Sequence, residues 1–223
     1  YSKQRSSAIT TFPLDSWVNE LHQTTIDNHR LIGDFFSTES SYFANLIYAN
    51  GVLEFDKNWR LKRYIPSLST DPNNIPLRDI RCIYETNTHY WVTTDGGLIK
   101  CSKTLKPLKT FIPTWSPVND PSLIVLRKII PFGKRYLLIR GLQSFSVFDL
   151  QNEQFTQVFN RKQAKNGSLP NDYIVGEALV GDLLYVAAEN NFYTLNLKTK
   201  RVEQVSFPFY GKRIRCMTRR GNQ

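Results

Sequence analysis

The sequence contains few of the residue types on which catalysis and metal binding depend. Only three of its 223 residues are histidine and three are cysteine, and they form neither a CxxC pair nor a grouping with metal-ligand spacing. The sequence has no Walker, dinucleotide-binding or Gly-x-Ser-x-Gly motif, and no two of its 19 acidic residues stand out as an acid–base pair. The sequence therefore predicts a chain with no metal, no cofactor and no catalytic centre of its own.

Long hydrophobic runs are also missing. No apolar stretch approaches eighteen residues, so we expect no membrane-spanning helix. The sequence begins at Tyr1 without an apolar leader, which predicts either that a signal segment was removed or that this is a piece of a longer protein. The odd number of cysteines excludes a full disulfide framework and leaves the compartment open; we interpret Cys82 and Cys216 as small buried side chains, and the third is Cys101.

A strong β pattern is what the sequence does contain. The stretch 80–111 predicts four short strands: Ile80 to Tyr84, Tyr90 to Thr94, Leu98 to Cys101 and a fourth that ends at Phe111. Adjacent glycines in Asp95-Gly96-Gly97 supply the positive φ of a tight turn. An earlier unit predicts strands at Leu31 to Phe36, Leu46 to Tyr48, Val52 to Phe55 and Leu61 to Ile65. One such sheet has two apolar faces and cannot bury both without further copies.

The copies recur at a nearly constant spacing. A turn residue is followed by an apolar strand and then by Asp, Asn or Ser; the last apolar positions are Phe55, Cys101, Phe148 and Leu195, at steps of 46, 47 and 47 residues. The glycine of this pattern is replaced by Asn191 in the last copy, and asparagine also tolerates a left-handed backbone. Four-stranded units at this period predict an all-β fold, a β-propeller. The alternative is a β-sandwich whose regularity is accidental.

The repeat resembles the two-component regulator propeller repeat, whose pattern runs from an N/L-P lead-in through I-x-x-I to L-W-I-G-T and G-L. In the second unit the lead-in is Asn74-Ile75-Pro76-Leu77, the first strand holds Ile80 and Ile83, and Tyr90 to Thr94 with Gly97-Leu98 matches the remainder. The fourth unit matches it with Ser168 to Asn171, Leu184 to Ala188 and Asn191-Phe192, whereas the first and third units match more weakly.

This resemblance implies a function. Proteins with these repeats are typically periplasmic sensor regions of hybrid two-component systems in polysaccharide-degrading bacteria. The expectation is therefore an extracytoplasmic sensor fragment that binds a polysaccharide-derived oligosaccharide without catalysis, within a parent protein that is a histidine kinase. Two alternatives remain open: a propeller-fold polysaccharide lyase, and a protein-interaction scaffold of the WD-repeat type, although the Gly-His and Trp-Asp signatures of the latter are missing.

The repeat also predicts how the chain is divided. Residues 1–27 are expected to be part of a preceding blade or a linker, and four blades follow at 28–66, 74–113, 123–160 and 169–208. Residues 211–223 repeat the opening of a unit, since Ile214-Arg215-Cys216-Met217 parallels Ile80-Arg81-Cys82-Ile83. Because the resembling sensors usually have seven blades, we expect an incomplete propeller of four to five blades that self-associates through its open blade edges.

The net charge of +10 indicates a polyanionic partner. The basic residues are spread along the chain rather than interleaved with exposed aromatics, which argues against nucleic acid, and most of them suit solvated turns. Propeller geometry places the loop before each first strand and the turn between second and third strands on one face, and the residues predicted there are Arg78, Asp95, Arg140, Lys212 and Arg213. Guanidinium groups bind carboxylate or sulfate bidentately, so an acidic glycan is a candidate ligand.

The aromatic residues divide into core and surface candidates. Trp91 and Tyr185 occupy the same strand position in two units, which predicts that both are core between blades. Trp115 lies in a proline-rich loop and is the best candidate for stacking on a sugar, although packing against the edge of a blade is the stronger expectation.

Overall fold

The computed structural model describes residues 31–47, 51–66, 80–113, 125–159, 169, 173–188 and 191–205. All sixteen strands in these ranges belong to four separate four-stranded antiparallel sheets, and in each sheet the strands lie side by side in chain order. This is the arrangement expected when consecutive strands are joined by short turns.

The four sheets are named blades 1 to 4 and their strands are numbered along the chain. Blade 1 contains β1 Leu31–Ser37, β2 Tyr42–Ile47, β3 Gly51–Phe55 and β4 Leu61–Pro66. Blade 2 contains β5 Cys82–Glu85, β6 Tyr90–Thr94, β7 Gly97–Cys101 and β8 Pro107–Phe111. Blade 3 contains β9 Leu126–Phe132, β10 Tyr136–Gly141, β11 Phe145–Asp149 and β12 Gln154–Phe159. Blade 4 contains β13 Ile174–Val180, β14 Leu183–Ala188, β15 Phe192–Asn196 and β16 Val202–Val205.

The core lies between the blades, and each blade packs on the next one along the chain. Three clusters of buried side chains cross the junctions. Their principal members are Phe43, Val52, Ile83 and Val92 between blades 1 and 2, Trp91, Leu98, Leu137 and Phe148 between blades 2 and 3, and Leu138, Phe145, Leu184 and Val186 between blades 3 and 4. Successive face-to-face sheets of this kind form an incomplete propeller of four blades, so the predicted fold is confirmed and the sandwich alternative is wrong.

The pattern of buried residues along each strand shows which faces of the sheets are covered. Every residue of β3, β6 and β11 is buried, because neighbouring side chains point to opposite faces and both faces are packed. In β15, Tyr193 and Leu195 are buried, whereas Phe192, Thr194 and Asn196 are only partly covered. The face of blade 4 that points away from blade 3 is therefore more open than its equivalents in the preceding blades.

Two details of the first and second units differ from the sequence prediction. The second strand of blade 1 begins at Tyr42 rather than Leu46, because Tyr42 pairs with Phe55 at the far end of the hairpin. In the predicted glycine turn, positive φ occurs at Gly97 (127°) and not at Gly96. A Cβ atom on Gly97 would stand 2.7 Å from the carbonyl oxygen of Phe111, so close strand approach also requires glycine there.

The turn between the third and fourth strands explains the recurring Asp, Ser or Asn. In all four blades the side-chain oxygen of this residue accepts hydrogen bonds from backbone N–H groups two to four positions later; the residues are Asp56, Ser102, Asp149 and Asn196. Each turn then contains one non-glycine residue with positive φ, and these are Trp59, Leu105, Glu153 and Lys200. The period of 46 to 47 residues is thus the distance along the chain between successive turns that are closed by this side-chain hydrogen bond.

Each junction between blades also contains a carboxylate of the later blade that contacts donors of the earlier blade. Glu85 accepts hydrogen bonds from the backbone and hydroxyl of Ser40 at 3.0 and 2.8 Å. Glu153 forms ion pairs with Lys100 and, at 3.7 Å, with Lys109. Glu177 lies 2.6 Å from Lys128 and 2.9 Å from Arg140. These contacts fix how one blade sits along the next, which apolar packing alone leaves loosely defined.

The two cysteines within the described ranges are free thiols. Cys101 is fully buried, and burial raises the pKa of its thiol to about 12. Cys82 is half-buried against the core between blades 2 and 3, and burial raises its pKa as well. Cys82 and Cys101 thus act as small core side chains, whereas Cys216 lies outside the described residues.

We expect Phe148→Ala to lower the free energy of unfolding by about 3–5 kcal/mol, because its ring lies 5.0 Å from those of Trp91 and Phe111 and its removal leaves a cavity. The matched control is Phe35→Ala, whose ring is 56% exposed and whose loss should cost less than about 1 kcal/mol. Urea unfolding of both variants measures the difference. Equal losses would contradict a core placed between blades.

A second prediction concerns acid stability. Burial alone would raise the pKa of Glu85, but hydrogen bonds from Lys103 and Ser40 outweigh it and hold the pKa at about 2. The stabilisation is therefore fully present above the unfolded value near 4.5 and is lost as the pH falls toward 2. Glu85→Gln should lower the free energy of unfolding by about 2 kcal/mol at neutral pH, and the difference from wild type should shrink below pH 4.5.

The control for this acid effect is Glu39→Gln, an exposed carboxylate on a neighbouring turn, which should change the free energy of unfolding by no more than about 0.5 kcal/mol. Urea titrations at neutral and acidic pH give both numbers. If the difference in free energy of unfolding between Glu85→Gln and wild type stayed constant across the acid range, the ionised Glu85 carboxylate would not be what joins blades 1 and 2.

Candidate functional site

A cleft of about 580 Å³ opens where blades 2 and 3 diverge. Blade 2 contributes its first turn, residues 85–89, together with Tyr84, Trp91 and Lys100. Blade 3 contributes Gly133-Lys134 from its first turn and Leu150 and Glu153 from its last turn, and blade 1 adds Glu39. A cavity of this volume lies within the range of small-ligand sites.

The first turn of blade 2 is held rigidly by its own side chains. The hydroxyl of Thr86 donates to the carbonyl of His89 at 2.9 Å and accepts from the backbone N–H of His89 at 3.1 Å. The same closure occurs in blade 1 between Thr38 and Ser41. Asn87 and Thr88 therefore project from a fixed turn, and both are exposed to solvent at the rim of the cleft.

The charged side chains in the cleft are mostly paired with one another. The Lys100 ammonium contacts Glu153, and this hydrogen bond is the largest contribution that lowers the pKa of Glu153 below its usual value. Glu85 is engaged by Lys103 at 2.6 Å and by Ser40. The charges thus hold three blades together around the cleft, and this leaves the uncharged polar groups of the turn to face the opening.

His89 is the one histidine in the described part of the chain. Its Nδ1 lies 2.8 Å from the hydroxyl of Thr88, and partial burial followed by the neighbouring Lys100 ammonium lowers the pKa of the ring. A neutral imidazole carries one donor and one acceptor nitrogen. Beside it, the half-buried Tyr84 and the buried Trp91 give the cleft an apolar wall.

The binding face predicted from the sequence lies at the other end of the blades. Arg78, Lys212, Arg213 and Trp115 lie outside the described residues, so their grouping stays a prediction. Arg140 is described, and its guanidinium is committed to Glu177 at 2.9 Å and to the carbonyl of Ile174 at 3.4 Å. On the same face the Asp95 carboxylate binds Arg81 bidentately at 2.9 and 3.0 Å. Of the predicted binding residues, the structure therefore describes Arg140 alone, and it shows that the guanidinium of Arg140 is paired with Glu177.

Sequence reasoning missed the cleft because its residues come from three blades. The polar stretch Glu85 to His89 was predicted as a turn, and only its position opposite Gly133-Lys134 and Glu153 makes it part of a cavity. The signal available beforehand was the unusual polarity of this turn next to an aromatic strand. The two aromatic core predictions fare unequally: Trp91 is 3% exposed, whereas Tyr185 is half-buried beside Phe192.

Within the described ranges, no group of three or more His, Cys, Asp and Glu side chains lies close enough together to hold a metal ion. The same residues include no helix of the length and hydrophobicity that crossing a membrane requires. The polar groups of the cleft are those of a binding site: hydroxyls, an amide, a neutral imidazole and paired charges.

No family model and no curated protein matches the sequence. Among solved structures, the extracellular domain of BT4673 from B. thetaiotaomicron, described as a one-component or hybrid two-component system, superposes with a TM-score of 0.58 at 18% identity. The match covers 83% of this chain and 23% of that domain. The extracellular domain of BT3049 from B. thetaiotaomicron, described as a hybrid two-component system, gives 0.59 at 15% identity over 82% of this chain and 25% of that domain.

The WD40 propeller domain of Doa1 is as similar in shape, with a TM-score of 0.58 at 7% identity over 83% of this chain and 56% of that one. The chain spans about a quarter of the length of the BT4673 and BT3049 domains. At these identities the likeness concerns the fold: the chain is similar to part of a β-propeller, both of the bacterial extracellular kind and of the WD40 kind.

Proposed function

We propose that this chain is part of the extracytoplasmic sensor region of a bacterial hybrid two-component regulator, where it binds a polysaccharide-derived oligosaccharide and catalyses no reaction itself. The parent protein would be a periplasmic-facing histidine kinase of the inner membrane. The observation that carries the proposal is the combination of a propeller that superposes on two such extracellular domains with a preformed polar cleft between its blades.

Several features support ligand binding over catalysis. Two of the three carboxylates that line the cleft, Glu85 and Glu153, are each engaged by lysines and have lowered pKa values, so they are ionised and not poised to donate a proton. A propeller-fold lyase needs a general base or acid whose pKa lies near the working pH. The cleft has instead the fixed polar rim and apolar wall of a binding site.

Two further parts of the proposal concern partners. A net charge of +10 favours an acidic glycan at the face predicted from Arg78, Arg140, Lys212 and Arg213, with Trp115 as a stacking residue. The partly covered face of blade 4, which includes Tyr185 and Phe192, would associate with a further blade or with another copy.

A second candidate function is a protein-interaction scaffold. Its support is the similarity in fold to the WD40 domain of Doa1. The two functions differ in the expected ligand. A scaffold binds peptides or folded proteins along its turn faces and has no affinity for sugars, whereas a sensor binds a small carbohydrate in a cleft.

The test is calorimetric titration of the complete ectodomain that contains this chain with a broad panel of plant and host oligosaccharides, neutral and acidic. We expect binding of at least one oligosaccharide with a dissociation constant on the order of micromolar, and no change in its length when the mixture is analysed by chromatography. Absence of binding across the panel would remove the sensor proposal. Cleavage of a bound sugar would replace it with an enzyme.

A further inference from the structure

The cleft between blades 2 and 3 does not share the strong positive charge of the whole chain. Its lining contains three carboxylates, Glu39, Glu85 and Glu153, and two ammonium groups, Lys100 and Lys134. Lys103 pairs with Glu85 and Lys109 with Glu153 from beside the lining, so the charges around the cleft nearly cancel, whereas the chain as a whole has a net charge of +10. The excess of positive charge that would draw an acidic glycan is therefore not concentrated in the cleft.

We propose that this cleft is a subsite for an uncharged sugar segment, whose hydroxyl groups are bound by Asn87, Thr88 and His89. The inference rests on the sensor function proposed above and specifies the class of ligand for the described cavity. It differs from the acidic ligand expected at the opposite face, so the two sites make separable predictions.

The first support is the electrostatic cost of an acidic sugar. A carboxylate placed in the cleft would meet Glu39 and two carboxylates already satisfied by lysines, and it would have to compete with Glu153 for the ammonium of Lys100. Lys134 is exposed and is the remaining ammonium group in the lining. Like charges within a partly desolvated site disfavour binding, whereas an uncharged ligand incurs no such cost.

The second support is the match between hydrogen-bonding groups. A sugar hydroxyl both donates and accepts, and so do an amide, a hydroxyl and a neutral imidazole. Asn87, Thr88 and His89 present these three groups on consecutive residues at the rim. The Thr88 hydroxyl and His89 Nδ1 contact each other at 2.8 Å, so the groups left for a ligand are the Asn87 amide, the remaining capacity of the Thr88 hydroxyl and His89 Nε2.

The third support is preorganisation. The hydroxyl of Thr86 closes the turn through two hydrogen bonds to His89, so the rim groups are held in place before a ligand arrives. The half-buried Tyr84 lies beside the rim, and the apolar face of a pyranose ring suits an aromatic side chain of this kind. Little ordering entropy would then be lost on binding.

The experiment compares neutral and acidic hexasaccharides of equal length on the complete ectodomain by calorimetry. The neutral probes are the hexamers of β-1,4-glucose, β-1,4-xylose and β-1,4-mannose, and the acidic probe is the hexamer of α-1,4-galacturonic acid. We expect a neutral hexamer to bind at least about tenfold more tightly than the acidic one in this cleft. Its affinity should stay within about twofold between low and high salt, because no charge pairing contributes.

Variants locate the binding. Asn87→Ala should weaken binding of the neutral hexamer about tenfold, whereas Asn58→Ala, an exposed turn asparagine of blade 1 outside the lining, should leave it within about twofold. Both residues are exposed, so both variants should fold, and thermal melting checks this.

Each result bears on the inference. Neutral binding that Asn87→Ala weakens and Asn58→Ala does not would support it. Neutral binding indifferent to Asn87→Ala would overturn the site, and salt-sensitive binding of the galacturonate hexamer alone would overturn the ligand class while leaving a glycan sensor intact. If no hexamer binds but another oligosaccharide of the broader panel does, the neutral-sugar subsite is overturned and the sensor function is not. If neither the hexamers nor the panel bind, the sensor function is overturned as well.

Discussion

The structure depends on one constraint: a four-stranded sheet of alternating apolar residues has two faces to cover, and each blade covers one face of its neighbour. Complete burial of β6 and β11 follows from this, since blades 2 and 3 each have a neighbouring blade on both sides. In β15 buried and partly exposed residues alternate, because one face of blade 4 is less well covered. Fold stability in such an array is a sum of blade and junction terms, so the junctions matter as much as the sheets.

The polar contacts across the junctions add the precision that apolar packing lacks. A hydrophobic face has no directional contacts, whereas the hydrogen bonds of Glu85 with Ser40 are directional, and Glu177 forms ion pairs with Lys128 and Arg140. Buried or half-buried carboxylates are costly unless paired, and each is paired by donors from the preceding blade. Arg140, which the sequence predicts as an anion-binding residue, is one of these donors.

The sequence predicted the fold but did not reveal the cleft, and both outcomes have physical reasons. The strands and their period are local properties, because the hydrogen-bonded Asp, Ser or Asn that begins each final turn recurs regardless of what surrounds it. The partner of Arg140 is 37 residues away in the next blade, and the cleft joins turns from three blades, so neither is visible in a linear pattern. Tyr185 shares its strand position with Trp91, yet it is less buried because burial depends on the neighbouring blade and not on the residue itself.

The cleft is lined by a residue whose counterpart in blade 2 fills the neighbouring junction. In blade 2 the residue with a left-handed backbone in the last turn is Leu105, which is 1% exposed and packs into the core between blades 1 and 2. In blade 3 the corresponding residue is Glu153, which cannot fill an apolar junction and instead reaches Lys100 across the gap. Glu153, at the position of the buried Leu105, joins blades 2 and 3 through an ion pair and leaves space between them. The repeat thereby has an apolar residue of this turn in the core on one side of blade 2 and a polar cavity on the other.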